Sequence, residues 1–389
     1  MAAMGTMERL LRLMADKKAS DLYLAPFAPA TLRINGQSVP INNQALPLDS
    51  VPMLLAEILP PLRVQELEEL GELNMGHEIP EVGNFRISAM RQRGRYSVVI
   101  RYIPREIPPL EGLNVPQKLT ELIMQKRGLI LMVGATGAGK STTLAAMIDY
   151  RNARQTGHIL TIEDPIEFLF TNKKSIVNQR EVGSDTATLE MGLKNALRQA
   201  PDVILIGEIR DRATMSAAIA YAQSGHLCLA TMHANNSYQA LNRILSFYPV
   251  EVRPTMLGDL AAALQSIVSQ RLLRTKDGTR APACEVMLNT KLISDMIEAG
   301  DFSGIKEAME KSMAEGSQTF EDDIARMIRL DMVDQREGLV NADSPTNLMW
   351  KLGNQAQSSI KTADPVKDAA YEAEMGEAAQ FTEIVLDIN

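Results

Sequence analysis

Residues 129–142 constrain this chain more than any other stretch, because they admit one local architecture. Leu129 to Val133 are apolar without interruption, the pattern of a strand buried on both faces, and Thr142 to Tyr150 continue as a helix with Leu144, Met147 and Ile148 on one side. Between them Gly134, Ala135, Thr136, Gly137, Ala138, Gly139, Lys140 and Ser141 match G-x-x-x-x-G-K-[ST], a phosphate-binding loop that Thr142 follows. A triphosphate needs many N–H donors converging at once. A glycine-rich turn entering a helix N-terminus supplies them through free backbone amides and the positive end of the helix dipole. Lys140 then reaches the β and γ phosphates, and the Ser141 hydroxyl is placed to ligate Mg²⁺. The loop predicts nucleotide binding. An accidental Gly-rich turn is the competing reading, and the flanking strand and helix oppose it.

Binding alone does not hydrolyse: an acid must hold the metal and another group must orient water. Val203 to Ile206 is an apolar strand pattern that leaves through Gly207 into Glu208, the logic of a Walker B element. Ile159 to Ile162 is a second one, ending in Glu163, Asp164 and Glu167 around Pro165. If both strands lie beside the P-loop strand, Glu163 and Glu208 arrive near the γ-phosphate. Glu163 is then the candidate to polarise the attacking water, and Glu208 the candidate to hold Mg²⁺ through water, with Ser141. Either carboxylate alone would read as a capping or solvated group. His226 and His233 frame a further strand, too far apart in sequence for an obvious metal pair. His233 is the candidate for a γ-phosphate sensor.

The remaining chain bounds these readings. A length of 389 residues predicts two or three domains, and 45% hydrophobic residues predict a globular protein. A formal charge of −8 opposes a general nucleic-acid or anionic-membrane role. Two cysteines, Cys228 and Cys284, offer neither a disulfide framework nor a zinc site and point to buried thiols in a reducing cytosol. No apolar run approaches the ~18 residues of a membrane span, and no signal-peptide core opens the chain, so a cytoplasmic location is expected.

Met7, Leu10, Leu11 and Met14 predict an amphipathic first helix after a disordered start at 1–6. Leu22 to Ala25 and Thr31 to Ile34 read as strands, with a hairpin turn at Asn35-Gly36, and 49–70 as helical. Phe85 to Met90 and Tyr96 to Ile103 predict a second hairpin. Arg86, Arg91, Arg93, Arg95, Arg101 and Arg105 crowd it, either as a solvated sheet face or as a basic edge facing phosphates or a neighbouring subunit. Prolines 104, 108, 109 and 116 mark a semi-rigid linker at 104–117. Beyond it strands at 129–133, 158–162, 203–206 and 227–231 alternate with helices at 140–153, 187–199 and 212–223, which predicts an α/β core with a mostly parallel sheet. Residues 255–273 and 291–332 read as helical. From Asn354 the pattern decays into a tail with seven acidic residues against two lysines, read as mobile, in which Phe381 to Ile388 is a possible docking segment.

Four motifs in order resemble the secretion and pilus ATPase superfamily: the P-loop, the acidic box Glu163 to Glu167, the Walker B element Val203 to Glu208, and the histidine box His226 to His233. Ala19 to Tyr23 and Asn84 to Arg86 also resemble that family's PAS-like domain. The resemblance covers roughly residues 7–353. It implies a PAS-like N-terminal α+β domain at 7–103, then a RecA-like P-loop ATPase core with a small C-terminal helical bundle at 118–353, and an acidic tail at 354–389. It further implies a homo-hexamer using ATP and Mg²⁺, in which Arg86 and Arg101 match positions that approach the nucleotide from the first domain.

Within the superfamily Leu197 to Asp202, Gly225 to Thr231, His233 to Asn236 and Asn341 to Ser344 resemble the accessory retraction ATPases of type IV pili. The absence of any C-x-x-C departs from the extension and secretion ATPases. Asn289 to Glu298 departs from the helix typical of the principal retraction motor PilT. The resemblance thus implies pilus retraction and twitching motility with PilT and an inner-membrane platform protein, at the cytoplasmic face of the inner membrane. A nucleotide-binding ring bracing PilT with little turnover, and an extension or type II secretion motor, stay open. A nucleic-acid translocase is disfavoured by the acidic balance and the lack of aromatic-basic interleaving, so no nucleic-acid partner is expected.

Overall fold

The computed structural model describes residues 5–360 except 35, 105 and 313. The acidic run at 361–389, Arg105 and residues 1–4 lie outside the described residues. Thr6, counted above with the disordered start, is instead the first residue of α1 (Thr6–Asp16). There follow β1 (Asp21–Leu24), β2 (Pro29–Ile34), β3 (Gln37–Ala45), α2 (Ser50–Ala56), α3 (Pro61–Leu70), β4 (Glu72–Ile79), β5 (Gly83–Gln92) and β6 (Arg95–Pro104). The six strands form one antiparallel sheet in the order β3-β2-β1-β6-β5-β4.

One face of that sheet is apolar by strict alternation. Phe85, Ile87 and Ala89 of β5 are buried with Val98 and Ile100 of β6, and Met7, Leu11 and Met14 of α1 cover them. The β5–β6 hairpin closes on Arg93 and Gly94, both at positive φ (52° and 74°), with Gln92 facing Arg95. That two-residue turn matches the twist of its strands. β4 has no counterpart in the strands expected from sequence.

The second sheet and the helices around it are α4 (Lys118–Ile123), β7 (Gly128–Val133), α5 (Lys140–Arg154), β8 (Gly157–Glu163), β9 (Ser175–Glu181), α6 (Leu189–Ala196), β10 (Val203–Ile206), α7 (Arg212–Gln223), β11 (Leu227–Met232), α8 (Ser237–Ser246), α9 (Arg253–Ala263), β12 (Leu264–Arg274) and β13 (Arg280–Leu288). Its order is β13-β12-β7-β11-β10-β8-β9, parallel except for β13. Both faces are covered. Leu129, Leu131 and Val133 of β7 enter the core shared with α6, α7 and α9, while Ile130 and Met132 enter the core shared with α4 and α5.

Residues 264–273, read above as helical, are strand β12. Apolar residues at 264, 267, 268 and 272 imitate a helical period, but Ser266, Ser269 and Gln270 between them are buried as well. Ser266 donates to the Met287 carbonyl at 2.9 Å, Ser269 to Glu285 at 2.8 Å and Gln270 to the Ala138 carbonyl at 2.8 Å, so each is satisfied inside the sheet.

The last described elements are α10 (Lys291–Ala299), α11 (Ile305–Glu310), α12 (Phe320–Arg329), α13 (Gln335–Asn341) and α14 (Pro345–Ile360), so the helix outlasts Asn354. α12 opens on a reciprocal cap between Thr319 and Asp322 and packs Phe320 and Ile324 against Leu273 and Ala283 of β12 and β13. No helix among the described residues is long and apolar enough to cross a membrane.

Candidate active site

The P-loop leaves β7 at its carboxyl end and is held from the side by β12. A Cβ on Gly134 would stand 2.5 Å from the Gln270 carbonyl oxygen, and one on Gly139 would stand 2.8 Å from Gln270 Nε2, so only glycine allows this approach. Gln270 Nε2 donates to the Ala138 carbonyl at 2.8 Å, and Thr143 of α5 donates to Gln270 Oε1 at 2.9 Å. Lys140 is buried, and its Nζ donates to the carbonyls of Gly134 (2.8 Å) and Ala135 (3.0 Å). Burial lowers its pKa, against the raising effect of Glu208 and Glu167.

A cleft of about 520 Å³ opens over this loop. Thr136, Gly137, Gly139, Lys140, Ser141 and Thr142 floor it; Glu163, Glu208 and His233 line its wall; Arg86 and Arg101 reach it from the first sheet. Ala135 and Ala138 turn instead toward a smaller hollow with Gln270 and Arg271. The cleft thus gathers the carboxylates and cations singled out from sequence. It does so by a different sheet order, since β10 and β8 do not lie beside β7: β11 stands between, and β8 is outermost of the three.

Glu163 ends β8. Its Oε1 accepts from Thr161 Oγ1 at 2.7 Å and from Gln179 Nε2 at 3.3 Å, and burial pushes its pKa up to about 7 although these hydrogen bonds oppose the shift. Gln179 of β9 also donates to the Phe168 carbonyl at 2.7 Å and accepts from the Phe170 amide at 2.8 Å, which pins the acidic segment. Glu208 is held differently. Arg210 Nε donates to its Oε2 at 2.8 Å, and His233 Nε2 lies 3.2 Å from its Oε1. The Arg210 guanidinium also stands 3.7 Å from Asp164.

Arg86 of β5 and Arg101 of β6 are directly opposed across the strand pair. Like charges in that register are destabilising, and Asp21, 3.1 Å from Arg101, offsets only part of it. An anion in the cleft would offset the rest. For a metal, the cleft offers the Ser141 and Thr142 hydroxyls and the carboxylates of Glu163, Asp164, Glu167 and Glu208. Among the described residues no group of three or more His, Cys, Asp or Glu gathers into a cage. That set fits Mg²⁺, which keeps waters and phosphate oxygens and takes one or two protein oxygens.

Thr161, Gln179, Arg210 and Gln270 were not anticipated. Arg210 had a signal, since residues two apart leaving a strand point the same way. Gln179 and Gln270 had none, because their partners are 9 to 132 positions away in sequence.

A mostly parallel sheet with a P-loop at the end of an inner strand and carboxylates on two adjacent strand ends defines an α/β P-loop ATPase. The chain belongs to the family of type II/IV secretion system proteins, whose model matches residues 71–344. It is 43% identical to the type IV pilus ATPase PilU of Pseudomonas aeruginosa, over 90% of this chain and 93% of that one. With the type IV pilus retraction ATPase PilT of the same organism the identity is 35%, over 87% and 98%. The crystal structure of the pilus retraction motor PilT with bound ADP matches at a TM-score of 0.82 and 34% identity, over 89% of this chain and 99% of that one. The protein is therefore a nucleotide-binding ATPase of the PilT and secretion superfamily, homologous to type IV pilus ATPases.

Proposed function

We propose that this chain is a Mg²⁺-dependent motor that powers or assists type IV pilus retraction, and hence twitching motility, as a cytoplasmic homo-hexamer working with PilT and the inner-membrane platform protein. The observation that carries the catalytic part is the pair of carboxylates, Glu163 and Glu208, facing one P-loop cleft in unlike surroundings. Likeness to PilU over nine-tenths of the chain carries the biological part.

In this reading the amides of residues 134–142 bind the phosphates, and Lys140 exchanges its loop carbonyls for phosphate oxygens. Ser141, and Glu208 through water, would hold Mg²⁺. When bound, the metal offsets charge on the β and γ phosphates. Glu163, with a pKa near neutrality, orients the attacking water and accepts its proton on the carboxylate. His233 reports the γ-phosphate to Glu208. Arg86 and Arg101, on the PAS-like domain, close over the developing charge, and their release after hydrolysis moves that domain against the ATPase domain about the 104–117 linker.

The test is ATP turnover by the purified protein, wild type against Glu163→Gln, with and without PilT. Turnover lost in the variant and raised by PilT supports a motor with Glu163 at its centre. Negligible turnover in every sample with ATP still bound would replace it with a nucleotide-sensing ring.

A further inference from the structure

We propose that Asp343, paired with Arg271, is a positioning residue for hydrolysis: it sets the loop that carries His233 and so ties the C-terminal helices to the nucleotide cleft. The proposal rests on the reading of His233 given above.

Gln270 and Arg271 are consecutive on β12, so their side chains leave opposite faces of the strand. Gln270 grips the P-loop. Arg271 grips two other segments: it donates to the Asn235 carbonyl at 3.1 Å, two residues after His233, and to the Asn341 carbonyl and the Asp343 carboxylate. Asp343 in turn accepts from Asn236 Nδ2 at 2.9 Å, and Asn236 caps α8 through the Gln239 amide. The loop from β11 to α8 is thereby held by one ion pair from a strand and from the segment that joins α13 to α14. P-loop residues 135–138, Asn235, Arg271 and Asn341 meet around a single hollow.

The far side of this link is rigid. The Ser344 amide donates to Glu321 Oε1 at 2.7 Å, and Glu321 is fully buried with Lys306 at 3.1 Å. The Arg271 guanidinium lies 4.0 Å from the centre of the Phe320 ring. The side chains of Arg271 and Asp343 are 21% and 20% exposed, although the Asp343 backbone lies at the surface. Removing Asp343 takes the counter-charge from the Arg271 guanidinium and the acceptor from the Asn236 side-chain amide. The helical unit therefore reaches the His233 loop directly through Asp343 and indirectly through Arg271, which bridges Asn341 and Asn235.

The experiment compares the full chain with Asp343→Ala, His233→Ala and the double variant. Asp343→Ala should lower kcat about tenfold, a misplacement effect, while KM for ATP and affinity for ADP stay within about twofold. Because Asp343 acts through His233, the double variant should turn over no more slowly than His233→Ala alone. Additive losses, or an unchanged kcat in Asp343→Ala, would overturn the proposal. Amide exchange gives a readout free of catalysis: residues 233–237 should exchange faster in Asp343→Ala and Arg271→Ala, with β1–β6 unaltered. Unaltered exchange at 233–237 would also overturn it. Should Asp343→Ala fail to fold, Asp343→Asn serves both measurements. Normal turnover in His233→Ala with faster exchange in Asp343→Ala would break the role of His233 proposed above while supporting the link itself.

Discussion

The ends of β8 and β10 run side by side, with Ile162 facing Ile206, and each delivers a glutamate to the same cleft. Their surroundings are opposite in kind. Glu163 is held by neutral donors, Thr161 and Gln179, inside protein that raises its pKa to about 7. Glu208 faces a guanidinium and an imidazole, Arg210 and His233. Residue type therefore does not assign the chemistry; the neighbours do. A carboxylate poised near neutrality suits proton transfer, and one among cations at the mouth of a phosphate site suits charge handling.

The contrast can be broken in several ways. Lys140→Ala removes what both carboxylates depend on, and ATP affinity should fall by about a hundredfold or more, with turnover abolished, as read by calorimetry and phosphate release. Glu163→Gln and Glu208→Gln should each lower kcat by roughly 10²–10⁴. Only Glu208→Gln should raise the Mg²⁺ concentration needed for half-maximal rate. Identical Mg²⁺ curves would erase the division of labour.

The raised pKa of Glu163 sharpens the comparison through pH. If its carboxylate is the base, kcat should climb as pH rises through about 7. The stability effect has the reverse sign. The folded protein binds a proton at Glu163 that the unfolded chain releases, so stability falls as pH rises from about 4.5 to about 7. Glu163→Gln should consequently melt higher than wild type at pH 8, by about 1–3 kcal/mol. A smaller effect is expected at the support of the loop. Gln270→Ala strands the Thr143 hydroxyl and the Ala138 carbonyl and should cost about 1–3 kcal/mol in denaturant unfolding, with nucleotide affinity reduced and the Mg²⁺ dependence unchanged.

How far the molecule was legible beforehand follows from the range of each interaction. The strand, loop and helix at 128–154 follow from contiguous residues. Strand-end carboxylates could be picked out because an apolar run stops at them. β12 could not, because its buried Ser266, Ser269 and Gln270 are tolerable only once β13, Glu285 and the P-loop are in place. β9 escaped for a related reason, since at the sheet edge it buries Ser175 and exposes Ile176; β4 did carry the signal, with Leu73, Met75, His77 and Ile79 alternating regularly with exposed neighbours.

The sequence by itself determined the phosphate-binding loop, the alternation of strands and helices around it and the identity of the acids, because each is written in residues that touch their neighbours along the chain. Tertiary structure alone decided that β11 separates the P-loop strand from the two acidic ones, that Arg86 and Arg101 stand opposed at the cleft, and that Gln179, Gln270 and Arg271 hold its parts. Those are contacts between strands and loops far apart in sequence. Their energies depend on burial and strand pairing, which exist only when the sheets have formed.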